Sequence, residues 1–408
     1  MTSQAKSLKP WQLALMAMII GGYPLIAVLP PIFRLENSRD VTVAFRAIAL
    51  IYYIAVGYQL SIQKRFSFGL FGTAFVVFWL LYSARILFET TQRPETLVRE
   101  PYEYYLYPFF VTLIPSIFSY SRYTIQEALI AGKLLLYILI ADGIAISLTY
   151  FTVSVVTLAE SERAQFALST INPITVGHLG LTLGLMAVAM FTKIPASYRV
   201  WIGWAGVLGF WLLIASASRG ALVSFAVVAG VFWATKIRRS IKNKFVMEAT
   251  MMMVVAAILI VAPIWLAGYV EDTEGFSTKS RVEMIGTEDD LAGNMRMMSF
   301  EGAWNQFLES PFLGDALEEK TTGFYPHNNV LEAFMTTGFL GGALMVFLYV
   351  VSFVNAVKLI ASETTYTWIG LVLLQYLVAT QFSGAIWWSD ALFCLMALAN
   401  GAVHVLRR

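Results

Sequence analysis

The sequence predicts an all-α, polytopic integral membrane protein, on three observations. The first is composition. Of 408 residues, 58% are hydrophobic and only 13% charged, with a mean hydropathy of +0.68. A soluble domain carries about 25% charged residues, so the charges here are too few to coat a globule of this size. The second is the recurrence of apolar stretches long enough to cross a bilayer. The third is the way lysine and arginine alternate between the segments that join those stretches.

A span needs roughly 20 apolar residues, because in lipid the backbone must satisfy its own hydrogen bonds. Twelve stretches meet this need, near Trp11–Phe33, Ala44–Ile62, Phe68–Phe88, Tyr105–Tyr120, Ala128–Val153, Pro173–Phe191, Trp201–Ala217, Ala221–Ala234, Met247–Val270, Gly338–Val357, Trp368–Phe382 and Ile386–Val405. Pro108 and Pro115 interrupt the fourth, and the eighth reaches full length only if it begins at Arg219. Basic residues favour cytoplasmic loops. With the N-terminus inside, 15 of the 28 Lys and Arg fall in inner segments, including five in Lys236–Lys244. Glu271–Glu319 holds twelve acids and falls outside. Both termini are therefore expected in the cytoplasm. The chain reads as one membrane domain, 1–408, with an extracytoplasmic helical loop at 271–326 between spans nine and ten.

Composition also excludes function classes. A net charge of +2 and the absence of basic runs interleaved with aromatics argue against nucleic acid. Cys394 is the single cysteine, so no intramolecular disulfide framework or CxxC metal site exists. Three histidines cannot build a His-rich site, and Glu288-Asp289-Asp290 lacks the glycine and spacing of a calcium loop. No metal or cofactor is expected. The first apolar stretch is too long for a signal peptide and reads as a retained span.

The residues able to carry chemistry gather outside. Ser218-Arg219-Gly220 lies where span seven meets span eight; a helix starting there makes Arg219 an anion contact or a headgroup anchor. Asn294–Leu308 has Arg296, Phe300, Trp304 and Phe307 at helical spacing, ended by Ser310-Pro311. In Tyr325-Pro326-His327-Asn328, Pro326 suits a first helical position, which puts His327 at a helix N-terminus as a neutral base or a structural histidine. Glu332 is its possible orienting partner. Arg163 is a further candidate anion contact. Arg85, Lys133, Asp142 and His178 fall inside spans, where ionisable groups mark function or internal pairing.

Three elements, in order, resemble the bacterial O-antigen ligase and O-antigen polymerase superfamily. They are Ser218-Arg219-Gly220-Ala221, the segment from Arg296 through Trp304 to Pro311-Phe312-Leu313-Gly314, and Pro326-His327-Asn328-Asn329-Val330-Leu331-Glu332 followed by Thr337-Gly338-Phe339-Leu340-Gly341. The resemblance implies a GT-C-type glycosyltransferase of the bacterial inner membrane with a periplasm-facing site. Its donor would be an undecaprenyl-pyrophosphate-linked oligosaccharide, and its acceptor a lipid-borne glycan, either a repeat unit or lipid A–core. It implies no nucleotide sugar, no metal and inversion at the anomeric carbon. His327 would be the general base, and Arg219 and Arg296 would stabilise the pyrophosphate. Arg163, Ser218, Tyr325, Asn328 and Glu332 would contact substrate. The Tyr-Pro-His-Asn-x-x-Leu-Glu run looks closer to the polymerases. A transporter or lipid flippase would also explain many spans, and an envelope scaffold would need no catalytic residues, but neither requires a histidine beside outer arginines.

Overall fold

The computed structural model describes residues 8–33, 38–63, 66, 68–157, 171–216, 218–240 and 291–407. Among them the chain is all-helical. Span nine at Met247–Val270, Arg163 and the first part of the acidic loop lie outside the described residues. Seven helices are long and apolar enough to cross a membrane, and shorter apolar helices occur at Ala17–Ala27, Thr367–Ala379 and Asp390–Leu406.

The helices are α1 Pro10–Phe33, α2 Ser38–Ile62, α3 Gly69–Gln92, the short α4 Glu103–Tyr105 and α5 Ile114–Ser119, α6 Ile125–Thr157, α7 Pro173–Met190, α8 Arg199–Ala215 and α9 Arg219–Ser240. They continue as α10 Leu291–Glu309, α11 Asn329–Ser362, α12 Thr367–Ala379 and α13 Asp390–Leu406. Each expected span that falls in described residues has a helical counterpart. The fourth differs in kind: Leu106–Leu113 is π-helical between α4 and α5. Pro108 removes one backbone donor from that turn, and Pro115 one from the next. α7 and α8 cross backbone to backbone. A Cβ at Gly180 would lie 2.6 Å from the Gly209 carbonyl oxygen, and one at Gly209 2.6 Å from the Gly180 oxygen. Small residues allow this approach where lipid offers no hydrophobic drive.

The tenth span holds the main surprise. α11 begins nine residues before Gly338, where the apolar stretch starts, and breaks at Gly338 (φ 67°, ψ −164°). The reason is a turn at Pro311–Gly314 wedged into the break. A Cβ at Gly314 (φ 73°) would sit 2.4 Å from the Thr336 carbonyl, and one at Gly338 would sit 2.4 Å from the Phe312 oxygen. Only glycine supplies the positive φ and the missing side chain at both places. The Asp315 N–H donates to Met335 (2.8 Å) and the Phe339 N–H to Pro311 (2.7 Å), stitching turn to helix.

Arg85 closes this joint. Its side chain comes from α3 and donates to the carbonyls of Thr336 (2.8 Å), Asp315 (3.0 Å), Gly314 (2.8 Å) and Leu313, and to the Glu89 carboxylate (3.1 Å). Arginine has five N–H donors, and all are used. The expectation that Arg85 might meet Asp142 fails, because Glu89 lies one helical turn away on the same face. Neither carboxylate oxygen of Asp142 has a hydrogen-bond partner.

The two ends of the bundle differ in chemistry. At one end Lys193 donates to the Glu363 carbonyl (3.1 Å), Lys236 pairs with the Glu363 carboxylate, and Leu8 N–H reaches Glu127 (2.8 Å). These cations belong to the inner set of the charge analysis. The other end carries the start of α9, helix α10, residues 310–328 and the turn at residues 380–389.

Candidate functional site

His327 does not sit at the first turn of a helix, contrary to the sequence expectation. α11 begins at Asn329, and Asn328 is its N-cap. Asn328 Oδ1 accepts from Val330 and Leu331 N–H at 3.0 Å each, and its Nδ2 donates to Gln381 O at 3.3 Å. An asparagine caps better than a proline starts here because its oxygen satisfies two orphan donors. His327 lies just before the cap in left-handed backbone (φ 55°). That conformation costs a non-glycine residue about 1–3 kcal/mol, and such residues cluster at functional sites.

The imidazole is half-buried and its Nδ1 has no hydrogen-bond partner. Its ring meets Tyr325 edge-on, with centroids 4.5 Å apart. Burial, and then the charge of Arg296, hold its pKa below the usual histidine value. The ring is therefore neutral at pH 7 and able to take a proton. Arg296 comes from the loop helix, so its charge is felt at the histidine across two separate elements. α10 spans Leu291–Glu309 and packs on α11 through Phe307 and Phe334, centroids 5.0 Å apart. Its aromatic positions do not act alike: Phe307 is buried and Trp304 exposed, while Ser299, Ala303 and Gln306 fill the inward face. Gln306 ties the helix to the following loop, donating to Asp315 (3.0 Å) and accepting from Lys320 N–H (2.8 Å).

Arg219 heads α9, as expected, and buried Ser218 precedes it. The turn after α12 joins this junction to His327. A Cβ on Gly220 would lie 3.8 Å from Cβ of Phe382. The neighbouring Gln381 and Thr380 carbonyls accept from Asn328 Nδ2 and Asn329 N–H. Glu332 is fully buried, accepting from Tyr82 OH (3.0 Å) and Ile386 N–H (2.9 Å). Those bonds tie α11 to α3 and to the turn at Ile386–Trp388. No hydrogen bond joins Glu332 to His327.

The structure adds groups that the sequence did not single out. Trp387 stacks edge-on to Tyr325 (6.0 Å), and the Arg99 guanidinium lies 4.9 Å over Trp387. Arg99 also pairs with Glu103 at 3.3 Å. Tyr104 donates to the buried Glu318 carboxylate, whose pKa burial pushes up to about 7 against the opposing effects of that bond and of Arg99. Burial raises the Tyr325 phenol as well. Arg46 lies 4.6 Å over Tyr23 and 4.5 Å over Trp388. The available signal was Arg99 in the segment between the third and fourth apolar stretches and the Trp387-Trp388 pair at the start of the last one. Among the described residues no three of His, Cys, Asp and Glu form a metal-ligand set.

A bundle of membrane-length helices with a half-buried histidine and an aromatic wall at one end defines a polytopic membrane protein with a polar candidate site. Residues 204–346 match the family model described as O-antigen ligase, from within α8 into α11. The match spans 143 of the 408 residues and supports a relation to the O-antigen ligase and polymerase superfamily. The match contains Arg219, Arg296 and His327. No curated protein and no solved structure matches the chain.

Proposed function

We propose that the protein transfers a glycan from an undecaprenyl-pyrophosphate donor to a sugar hydroxyl on a lipid-borne acceptor, at the periplasmic face of the bacterial inner membrane. The observation that carries this is His327, half-buried in left-handed backbone, edge-on to Tyr325 and with Nδ1 unpartnered, at the end of the bundle away from Lys193 and Lys236. The acceptor oxygen attacks the anomeric carbon as the bond to the pyrophosphate oxygen breaks. The hydroxyl proton passes to the imidazole, and one in-line displacement inverts the anomeric centre. General-base help of this kind is worth on the order of 10²–10⁴-fold in rate. Arg219 and Arg296 meet the charge that grows on the leaving pyrophosphate by bidentate contact. The reading keeps both termini cytoplasmic and twelve spans, with 271–326 as a periplasmic loop. Arg163, Ser218, Tyr325, Asn328 and Glu332 complete or support the substrate surface.

The preferred acceptor is a lipid-linked repeat unit, as for a polymerase, from the Tyr325–Glu332 run. The alternative acceptor is lipid A–core, as for a ligase, and the family match does not distinguish the two. Purified protein in bilayers with donor and each acceptor in turn tests both. Release of undecaprenyl pyrophosphate with a repeat-unit acceptor is expected, and His327→Ala should lower it about 10²-fold or more. Release with neither acceptor, or wild-type release by His327→Ala, overturns the proposal. Release with lipid A–core alone makes the protein a ligase.

A further inference from the structure

Behind the His327 end lies a cavity of about 180 Å³, walled by α1, α6, α7, α12, the turn after α12 and the start of α13. Its polar lining includes His178, Thr182, Tyr376, Thr380, Ser383 and Asp390. Both ring nitrogens of His178 are shielded from solvent and neither has a hydrogen-bond partner. A buried imidazole always presents at least one donor, and one left unmatched is costly. The cavity is where a partner for it fits.

Position ties this space to the transfer site. A Cβ on Gly220 would sit 3.9 Å from His178 Nε2, so His178 touches the junction that carries Arg219. On the other wall, Ser389 Oγ accepts from Asn329 Nδ2 at 2.8 Å, two residues from His327. The cavity therefore lies between the element bearing the arginine and the element bearing the base.

The lining selects a chemical class. No lysine or arginine is part of it. Arg46 lies 4.5 Å over the Trp388 ring and is not part of the lining, whereas the acid Asp390 is, which disfavours a phosphate there. A polyprenyl chain would leave His178 unmatched. A neutral, hydroxyl-bearing ring satisfies it and lays its carbon face on the apolar walls. The volume exceeds the roughly 150 Å³ that admits a benzene-sized guest, enough for one six-membered ring.

We infer that this cavity seats the neutral sugar ring next to the donor pyrophosphate, and so selects the donor by its first sugar. The inference rests on the proposed glycosyl transfer. Two variants test it, His178→Phe, which keeps a ring but no hydrogen-bonding nitrogen, and Ser383→Leu, which fills space. Full-length protein in bilayers is assayed for undecaprenyl pyrophosphate release across donor concentrations. The donors carry either the intact first sugar or versions lacking one hydroxyl. Folded recovery is checked by gel filtration. Both variants should raise the donor KM about tenfold or more, the scale of one lost buried hydrogen bond, with the acceptor KM unchanged. In wild type at least one deoxy donor should show a similar loss, and His178→Phe should no longer distinguish it from the intact donor. If His178→Phe is not recovered folded, Ser383→Leu decides by the same donor KM. A wild type active on the donor, with a folded variant whose donor KM is unchanged, overturns the inference and leaves glycosyl transfer standing. A wild type inactive with every acceptor overturns both.

Discussion

Replacing Arg85 by methionine should loosen the joint that holds the His327 loop. The side chain is 9% exposed and its ion-pair partner Glu89 is fully buried. Methionine keeps much of the volume and removes five donors. Four carbonyls lose a partner, and the Glu89 carboxylate keeps only Thr96 Oγ1 at 2.9 Å among its side-chain donors. Removing one partner of a buried ion pair costs about 3–5 kcal/mol, mainly by stranding the other charge. The loss should appear locally, as hydrogen exchange at Asp315 and Phe339, whose amides close the turn onto the broken helix. Since about 1.4 kcal/mol is tenfold, their exchange should speed up on the order of 10²–10³-fold. Arg85→Lys keeps the charge but not the fork and should fall between, with a loss of about 1–3 kcal/mol. Unchanged exchange at both amides in Arg85→Met would refute the argument that this guanidinium holds the turn.

Alanine at Gly314 or Gly338 should lower the recovery of folded protein on gel filtration, because each Cβ would fall 2.4 Å from backbone across the joint. The acid limb of the transfer pH profile should lie below the ordinary histidine value of about 6.5. Arg296→Gln should move it upward, because removing a neighbouring positive charge makes protonating His327 easier. The buried Glu318 takes its proton at about pH 7 in the folded chain, above the carboxyl value of about 4.3 expected on unfolding. Between those values the folded state binds more protons, so the loop should lose stability as pH rises through that window. Exchange protection around Glu318 measured from pH 5 to 8 should show this slope, and Glu318→Gln should flatten it.

The parts of the fold legible in sequence were those set by solvent and by local geometry. Span positions follow from the need to satisfy backbone polar groups within each helix, and α3, α6, α7 and α8 fall within a few residues of their apolar stretches. Arg219 at a helix start and the helix through Arg296 were likewise readable, from a span junction and a 3.6-residue period. Pro326-His327-Asn328 was misread because proline and asparagine both signal helix starts. Asn328 wins because its Oδ1 accepts from Val330 and Leu331 N–H, and its Nδ2 is held by the Gln381 carbonyl, 53 residues away, which the local sequence does not show. Arg85 looked like a functional intramembrane charge, since nothing near it in sequence shows four carbonyls from another segment.

The sequence by itself determined that this chain is a helical membrane protein and singled out the few residues proposed to bear its chemistry, because hydropathy and motif chemistry are properties of short segments. Only the tertiary structure decided that Pro311–Gly314 wedges into the break at Gly338, that Arg296 bears on His327, and that Arg99 and Trp387 stand beside them. Those arrangements arise from side chains and carbonyls far apart in sequence meeting at one end of the bundle. Their energies depend on burial and on partners, which composition and spacing do not contain.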